Sequence, residues 1–222
     1  MYIDPESVLR WLHILAMVYW LGGEWGVFQT SYKVCNPKLP FDERMRHMQT
    51  AYRIDILART GIILLLPLGL QMGHNLGTYD APPAFLWGVW GLSAAWLGLC
   101  WAAFIVHGSD LGITLTKIDE AVRFILIPVL LVASLSSLLG HGPFVAMWYA
   151  AKVGLYGLML VIGLALRFIM RNWTTIFRAL AKGPDLALEA RLGREVAMGR
   201  GMAYVYWIGI ATIAFLGATK PF

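Results

Sequence analysis

The histidines of this sequence are the residues best suited to bind a haem group or a metal ion. Three of the five, His13, His74 and His141, fall near the same end of apolar segments. A neutral imidazole is an axial ligand of haem iron and also a ligand of copper. Each has a methionine nearby, and thioethers suit copper; the pairs are His13 with Met17, His74 with Met72, and His141 with Met147. A haem b site and a copper site therefore both remain open.

Lys152 is a second candidate, because it falls inside an apolar segment. It lies roughly 7 Å into that helix at a rise of 1.5 Å per residue, a depth similar to that of His13. A charge placed there is costly and indicates function by default. A haem propionate would offset the cost, whereas a copper ion would repel the ammonium group. An interfacial lysine whose charge reaches water is the structural alternative.

Helical spacing places these residues on polar faces. His13, Met17, Trp20 and Glu24 follow the spacing of one helical face. Three further faces are Pro67 with Gln71 and His74, Ser134 with Ser137 and His141, and Lys152 with Tyr156 and Met159. Four helices thus offer polar groups at one depth, as a buried cofactor site requires. We expect His13 to be an axial ligand, with His74 or His141 as its partner rather than Lys152.

The elements that carry these residues are six apolar stretches, at 8–29, 55–76, 84–107, 123–141, 147–170 and 202–219. Each is close to the roughly 20 residues that cross a bilayer as a helix. The chain is 59% apolar and only 14% charged, against about 25% charged in soluble domains. We therefore predict an all-α bundle of six transmembrane helices, forming a single integral membrane domain over residues 1–222. The first stretch follows Asp4 and Glu6, so we expect a retained span rather than a cleaved signal peptide.

The positive charges predict the orientation. Lysines and arginines concentrate in three alternate connections, within 33–59, 117–123 and 167–200. By the positive-inside rule these face the cytoplasm, so both termini face outward. This placement accounts for the net charge of +5 without a nucleic-acid partner. The stretch 173–193 is predicted to be either an interfacial helix or a solvated loop, and Glu24 and Arg59 either a structural ion pair or part of a proton route.

Several of these segments resemble a known superfamily. The run from Leu9 to Gly23 resembles the first helix of the superfamily of CopD-type copper proteins and HemJ-type protoporphyrinogen oxidases. The stretch 53–69 resembles its second helix, Trp148-Tyr149-Ala150-Ala151-Lys152 its lysine-bearing helix, and Lys220-Pro221-Phe222 its usual final residues. In the HemJ type a first-helix histidine and a later lysine are functional and haem b is the cofactor; the resemblance carries these roles to His13 and Lys152.

The chain also departs from that pattern. Its third and fourth spans have no counterpart in the HemJ type. The stretch 160–166 lacks the histidine expected after the lysine, and Met202-Ala203-Tyr204 stands where an Asn-Glu pair is usual. The run from Leu9 to His13 is also similar to the membrane part of bacterial urate oxidases.

These features predict a haem-b protein of the inner (plasma) membrane that transfers electrons, linking a redox partner on the outer side to quinone. If it is an enzyme, it is a membrane oxidoreductase. One alternative is a CopD-like copper transporter or loader. Another is a non-catalytic anchor subunit of a larger membrane complex.

Overall fold

Six α-helices make up the computed structural model, which describes residues 4–107 and 109–221. They are α1 (Pro5–Val34), α2 (Phe41–Asn75), α3 (Pro83–Ile105), α4 (Asp110–Leu138), α5 (Met147–Leu180) and α6 (Leu186–Thr219). No strand occurs among the described residues. The predicted all-α fold is confirmed, and each predicted span falls on a different helix. Phe222, which belongs to the final motif of the resemblance, lies outside the described residues.

Helices α2 to α6 are long and apolar enough to cross a membrane. The chain is therefore a multi-pass membrane protein whose solvent is the lipid bilayer. Among the described helices α1 alone does not meet this criterion, although it spans 30 residues. Its interior carries His13 and Glu24, which lower its mean hydropathy.

The helices alternate in direction, and side chains tie together the connections at each end. At the end that holds the first and last described residues, Asn75 donates a hydrogen bond to Glu6, and Val145 N–H donates to the Thr78 carbonyl at 2.9 Å. We call this the terminal end. The opposite end carries the α1–α2, α3–α4 and α5–α6 connections, and we call it the basic end. Each helix contacts the next in sequence, and α1 contacts α6, so the bundle closes.

Small residues allow α1 and α2 to pack closely. A Cβ atom at Gly23 would lie 2.8 Å from the Cβ of Ala58, which is too close for an undistorted contact. A Cβ at Gly26 would lie 3.0 Å from Ile54 Cγ2. Close approach through small residues is a common way for membrane helices to associate. Gly22, by contrast, has no atom within 4 Å of such a Cβ.

The structure corrects the prediction for the stretch 173–193. It is neither a separate interfacial helix nor a solvated loop, because α5 continues to Leu180 and α6 begins at Leu186. The two extensions pack around a buried apolar cluster: Val34, Ile169, Trp173, Ile176, Phe177, Leu180, Leu192 and Val196. Arg44 fixes this hairpin to α2 through hydrogen bonds of 2.6 and 2.8 Å to the carboxylate of Glu189. The apolar face of the segment is covered by protein rather than by lipid headgroups.

Candidate functional site

The main cavity of the bundle is about 570 Å³ in volume and lies among α1, α2, α5 and α6. Its lining runs from the exposed side chains of Arg10 and Lys220 at the terminal end to the buried Trp20 and Tyr156. Leucine, isoleucine and valine side chains form much of the wall between them. A pocket of this size, apolar with a few polar groups, is typical of small-molecule and cofactor sites, which measure roughly 300–1,000 Å³.

His13 lines this cavity from α1. Its Nδ1 atom is buried and has no hydrogen-bond partner among the described residues. The imidazole lies beside α2 at Gly69, where a Cβ atom would come within 3.3 Å of its Cε1. The Gly69 carbonyl also accepts a hydrogen bond of 3.0 Å from the hydroxyl of Tyr149. Glycine at this position therefore gives the ring space, and Tyr149 fixes the adjacent backbone.

Lys152 enters the same cavity from α5. Its Nζ atom lies against α6 at Gly217, where a Cβ atom would be only 2.6 Å away. No carboxylate lies within ion-pair distance of it among the described residues. Arg10 and Lys220 add two further cations to the lining, and the Lys220 ammonium lies 5.7 Å from the ring centroid of Trp148. Glu6 also lines the cavity, so the lining carries three cations against one carboxylate.

Aromatic side chains close the deep end of the cavity. The Trp20 indole donates a 3.0 Å hydrogen bond to the Tyr206 hydroxyl, and the Tyr156 hydroxyl donates one of 2.7 Å to the Ile62 carbonyl. Pro67 lies inside α2 and cannot donate to the carbonyl four residues earlier, so the Tyr156 bond falls beside a weakened stretch of helix. These contacts make a rigid apolar floor.

His74 and His141 share the terminal end with His13 but are not among the lining residues of this cavity. His74 is half-buried and packs against Tyr79, with ring centroids 5.9 Å apart. Burial raises the pKa of Tyr79 to about 12, so its hydroxyl stays protonated and donates to the Leu70 carbonyl at 2.9 Å. His141 is exposed in the connection after α4. The structure therefore brings together His13 and Lys152, and places the other two histidines elsewhere.

The lining contains sulfur as well as imidazole. Met17 of α1 and Met72 of α2 both line the cavity with His13. However, no group of three or more histidine, cysteine, aspartate or glutamate side chains is placed to share a metal ion within residues 4–107 and 109–221. The three histidines proposed as metal ligands do not form such a cluster.

Sequence reasoning missed the contributions of Arg10, Tyr149 and Lys220. Their signal was present, since Arg10 and Lys220 are the charged residues nearest the two termini and Tyr149 is one helical turn from Lys152. The fold brings them over one cavity because α1, α5 and α6 meet there.

A buried ionic network between α4 and α5 was also missed. Asp119 is fully buried, accepts a 2.6 Å hydrogen bond from Trp96 Nε1, and pairs with Arg167 and with Arg123. Glu120 pairs with Arg171. The positive-inside argument placed the three arginines in or beside the connections and gave Asp119 and Glu120 no role. Their spacing of four within each helix, Asp119 with Arg123 and Arg167 with Arg171, was the available signal.

The predicted ion pair between Glu24 and Arg59 is wrong. Arg59 pairs instead with Asp55, one turn away on its own helix. An ion pair within one helix needs only a spacing of four residues. An ion pair between two helices also requires that both helices are rotated so that the two side chains face each other. Glu24 is left without an ion pair among the described residues.

The fold and the site together define a multi-pass helical membrane protein with a cavity that is apolar at depth and rimmed by cations. Comparison of the chain with protein-family models, with curated proteins and with solved structures finds no significant match to any of them.

Proposed function

We propose that the cavity binds haem b and that the protein transfers electrons in the membrane. One observation carries this proposal: His13, whose Nδ1 has no hydrogen-bond partner among the described residues, lines the same cavity as Arg10, Lys152 and Lys220. An imidazole nitrogen without a protein partner is available to iron. The three cations suit the two propionates, and the apolar walls suit the porphyrin ring. Haem b, when bound, would supply one-electron chemistry.

The roles of the protein groups follow from their positions. His13, beside Gly69, would hold the iron through its imidazole. Lys152 and its neighbouring cations would hold the propionates, while Trp20 and Tyr156 exclude water from the deep end of the cavity. A second ligand would come from Met17 or Met72 in the lining or, after a local movement, from His74 or His141. Methionine and histidine are both known axial ligands of haem iron.

The proposed topology has six spans, with the terminal end on the outer side of the inner membrane. Support for α1 as a span comes from its packing. Its exposed face is apolar, with Trp11, Ile14, Val18 and Trp25 at 61%, 51%, 54% and 52% exposure, while His13 and Glu24 face cavities. Helix α1 thus presents lipid-compatible side chains outward and hides its polar groups. In this topology the cavity faces a redox partner on the outer side, and quinone in the bilayer is the proposed acceptor.

The resemblance to the CopD and HemJ superfamily is consistent with this proposal at His13 and Lys152. Copper handling is the second candidate, favoured by the imidazole of His13 and the thioethers of Met17 and Met72 in one lining. Three cations in the same cavity oppose it, because they repel a bare metal ion. An anionic cofactor explains both the imidazole and the cations.

The test is the absorption spectrum and metal content of the protein purified in mild detergent. We expect a Soret band and a reducible alpha band, and one or more irons per chain. His13→Ala should lose the cofactor or convert it to high spin, while His107→Ala, a change at the basic end, should leave the spectrum intact. His74→Ala and His141→Ala then identify or exclude a second ligand. Copper without haem would support the second candidate. A protein that contains neither haem nor copper would favour the alternative of a non-catalytic membrane anchor.

A further inference from the structure

A second, smaller cavity of about 40 Å³ lies among α1, α5 and α6 toward the basic end. Four polar side chains line it: Glu24, Ser31, Trp173 and Arg200. The other lining residues are apolar or glycine. A water molecule needs roughly 10–15 Å³ of such space and two to four polar partners, so this cavity has room and partners for water.

Two of these polar groups have no partner within the protein. Trp173 is only 5% exposed, and its indole N–H has no acceptor among the described residues. Glu24 makes no hydrogen bond or ion pair there either, while Arg200 Nε donates to Ser31 Oγ at 3.0 Å. Buried polar groups without partners are costly. Water between the indole and the carboxyl group would satisfy both.

The charges around Glu24 are mostly paired among themselves. Asp55 and Arg59 of α2 are near enough to interact electrostatically with it, and they pair with each other. Arg123 of α4 also interacts with it electrostatically and lies 3.6 Å from Asp119. The Tyr206 hydroxyl of α6 is near it too and accepts a hydrogen bond from Trp20.

The Arg200 guanidinium, also from α6, contacts Cys35 Sγ at 3.2 Å and the Tyr32 ring at 3.7 Å. Helix α5 contributes Trp173, which does not titrate. Glu24 is thus an acid without a fixed counter-ion in the described part of the bundle.

We infer that Glu24 is a proton-binding site served by water in the small cavity. The step is a reversible proton transfer, in which the carboxylate takes a proton from hydronium and gives a neutral carboxylic acid and water, with no change in electrons. The neutral acid needs no counter-ion, and its hydroxyl can donate to cavity water. A metal cation is a poorer occupant, because the guanidinium of Arg200 lies in the same wall. The inference does not depend on the cofactor of the main cavity.

Infrared difference spectroscopy of the whole protein in phosphatidylcholine vesicles tests this. Between low and high pH, we expect a carbonyl-stretch band of a buried carboxylic acid, shifted when deuterium oxide replaces water. Glu24→Gln should remove the band. Glu43→Gln should retain it, because the Glu43 side chain is 46% exposed at the basic end. A band that persists in Glu24→Gln, or no such band in the wild type, would overturn the inference.

Trp173→Phe gives an independent test in which Glu24 is unchanged. It removes the indole N–H and preserves an aromatic ring at the buried position. We expect the Glu24 band to move in frequency and its pH midpoint to shift, because a water partner of the carboxyl group is lost. If Glu24→Gln does not accumulate in the membrane, this variant decides the matter, and an unchanged band and midpoint would contradict the proposed water link.

Discussion

The ammonium of Lys152 lies against Gly217, where a Cβ atom would be 2.6 Å from its Nζ. The side chain of Lys152 crosses from α5 to α6 because the last helix has no side chain at this point. The position of the ammonium therefore depends on the absence of a side chain at Gly217. A substitution at Gly217 can displace the charge without removing it.

Gly217→Ala should displace the Lys152 ammonium and leave the bundle folded, since the end of a lysine side chain moves easily. We expect haem retention between that of the wild type and that of a variant without the charge. The control is Gly201→Ala on the same helix, where a new Cβ meets no atom within 4 Å. Both changes replace glycine by a better helix former, but only the first displaces Lys152 and should affect the cofactor. Equal cofactor retention in both would argue against Lys152 as a contact.

Removal of the charge itself should have a larger effect. Lys152→Met should weaken haem retention about tenfold or more, because a hydrogen bond to a charged group contributes about 1.5–3 kcal/mol and 1.4 kcal/mol corresponds to a factor of ten. Lys152→Arg should largely restore it. The measurement is the haem-to-protein ratio after washing, together with the reduction potential. Full haem and an unchanged potential in both variants would make Lys152 an interfacial anchor and favour copper.

The apolar stretches predicted where the helices lie, but not where they begin and end. Helix α2 starts at Phe41 and α4 at Asp110, each well before the predicted span. Hydropathy identifies the part of a helix that is apolar enough to contact lipid, and a helix can continue beyond that part. The difference matters at Asp119 and Glu120, which fall before the predicted fourth span and are buried against arginines of α5.

The sequence predicted the depth of the site residues along their helices, but not how each helix is rotated about its own axis. Spacing along each helix placed His13 and Lys152 at the same level, and both line one cavity. His74 and His141 lie at a similar level and do not line it. A sequence gives the face on which residues of one helix lie, whereas the neighbour of that face depends on packing such as that of Gly23 against Ala58.

The orientation of the bundle can be checked with reporter fusions. A fusion after Ala81 lies in the α2–α3 connection at the terminal end, and one after Pro184 lies in the α5–α6 connection at the basic end. We expect the first to be active with an outside reporter, such as alkaline phosphatase, and the second only with a cytoplasmic one. Charge bias across alternate connections is the physical reason. The same response from both fusions would contradict six spans.

The buried network of α4 and α5 should carry a large share of the stability. Asp119 accepts from Trp96 and balances two arginines, so Asp119→Asn leaves guanidinium charge uncompensated in a dry environment. Breaking one side of a buried pair costs about 3–5 kcal/mol. We expect a clear fall in the thermal unfolding temperature in detergent, measured by tryptophan fluorescence or by loss of monodisperse protein on heating.

The matched control is Asp80→Asn, because Asp80 is exposed in the α2–α3 connection and has no ion pair in the described structure. It should change stability by no more than about 0.5 kcal/mol, as surface substitutions usually do.

A second variant separates charge from hydrogen bonding: Trp96→Phe removes the 2.6 Å hydrogen bond to Asp119 and leaves both arginine pairs. Its effect should be smaller than that of Asp119→Asn, since ionic partners still satisfy the carboxylate. If Asp119→Asn melts with the wild type, the charges of α4 and α5 are solvated in the membrane-embedded protein, and apolar packing alone holds the two helices together.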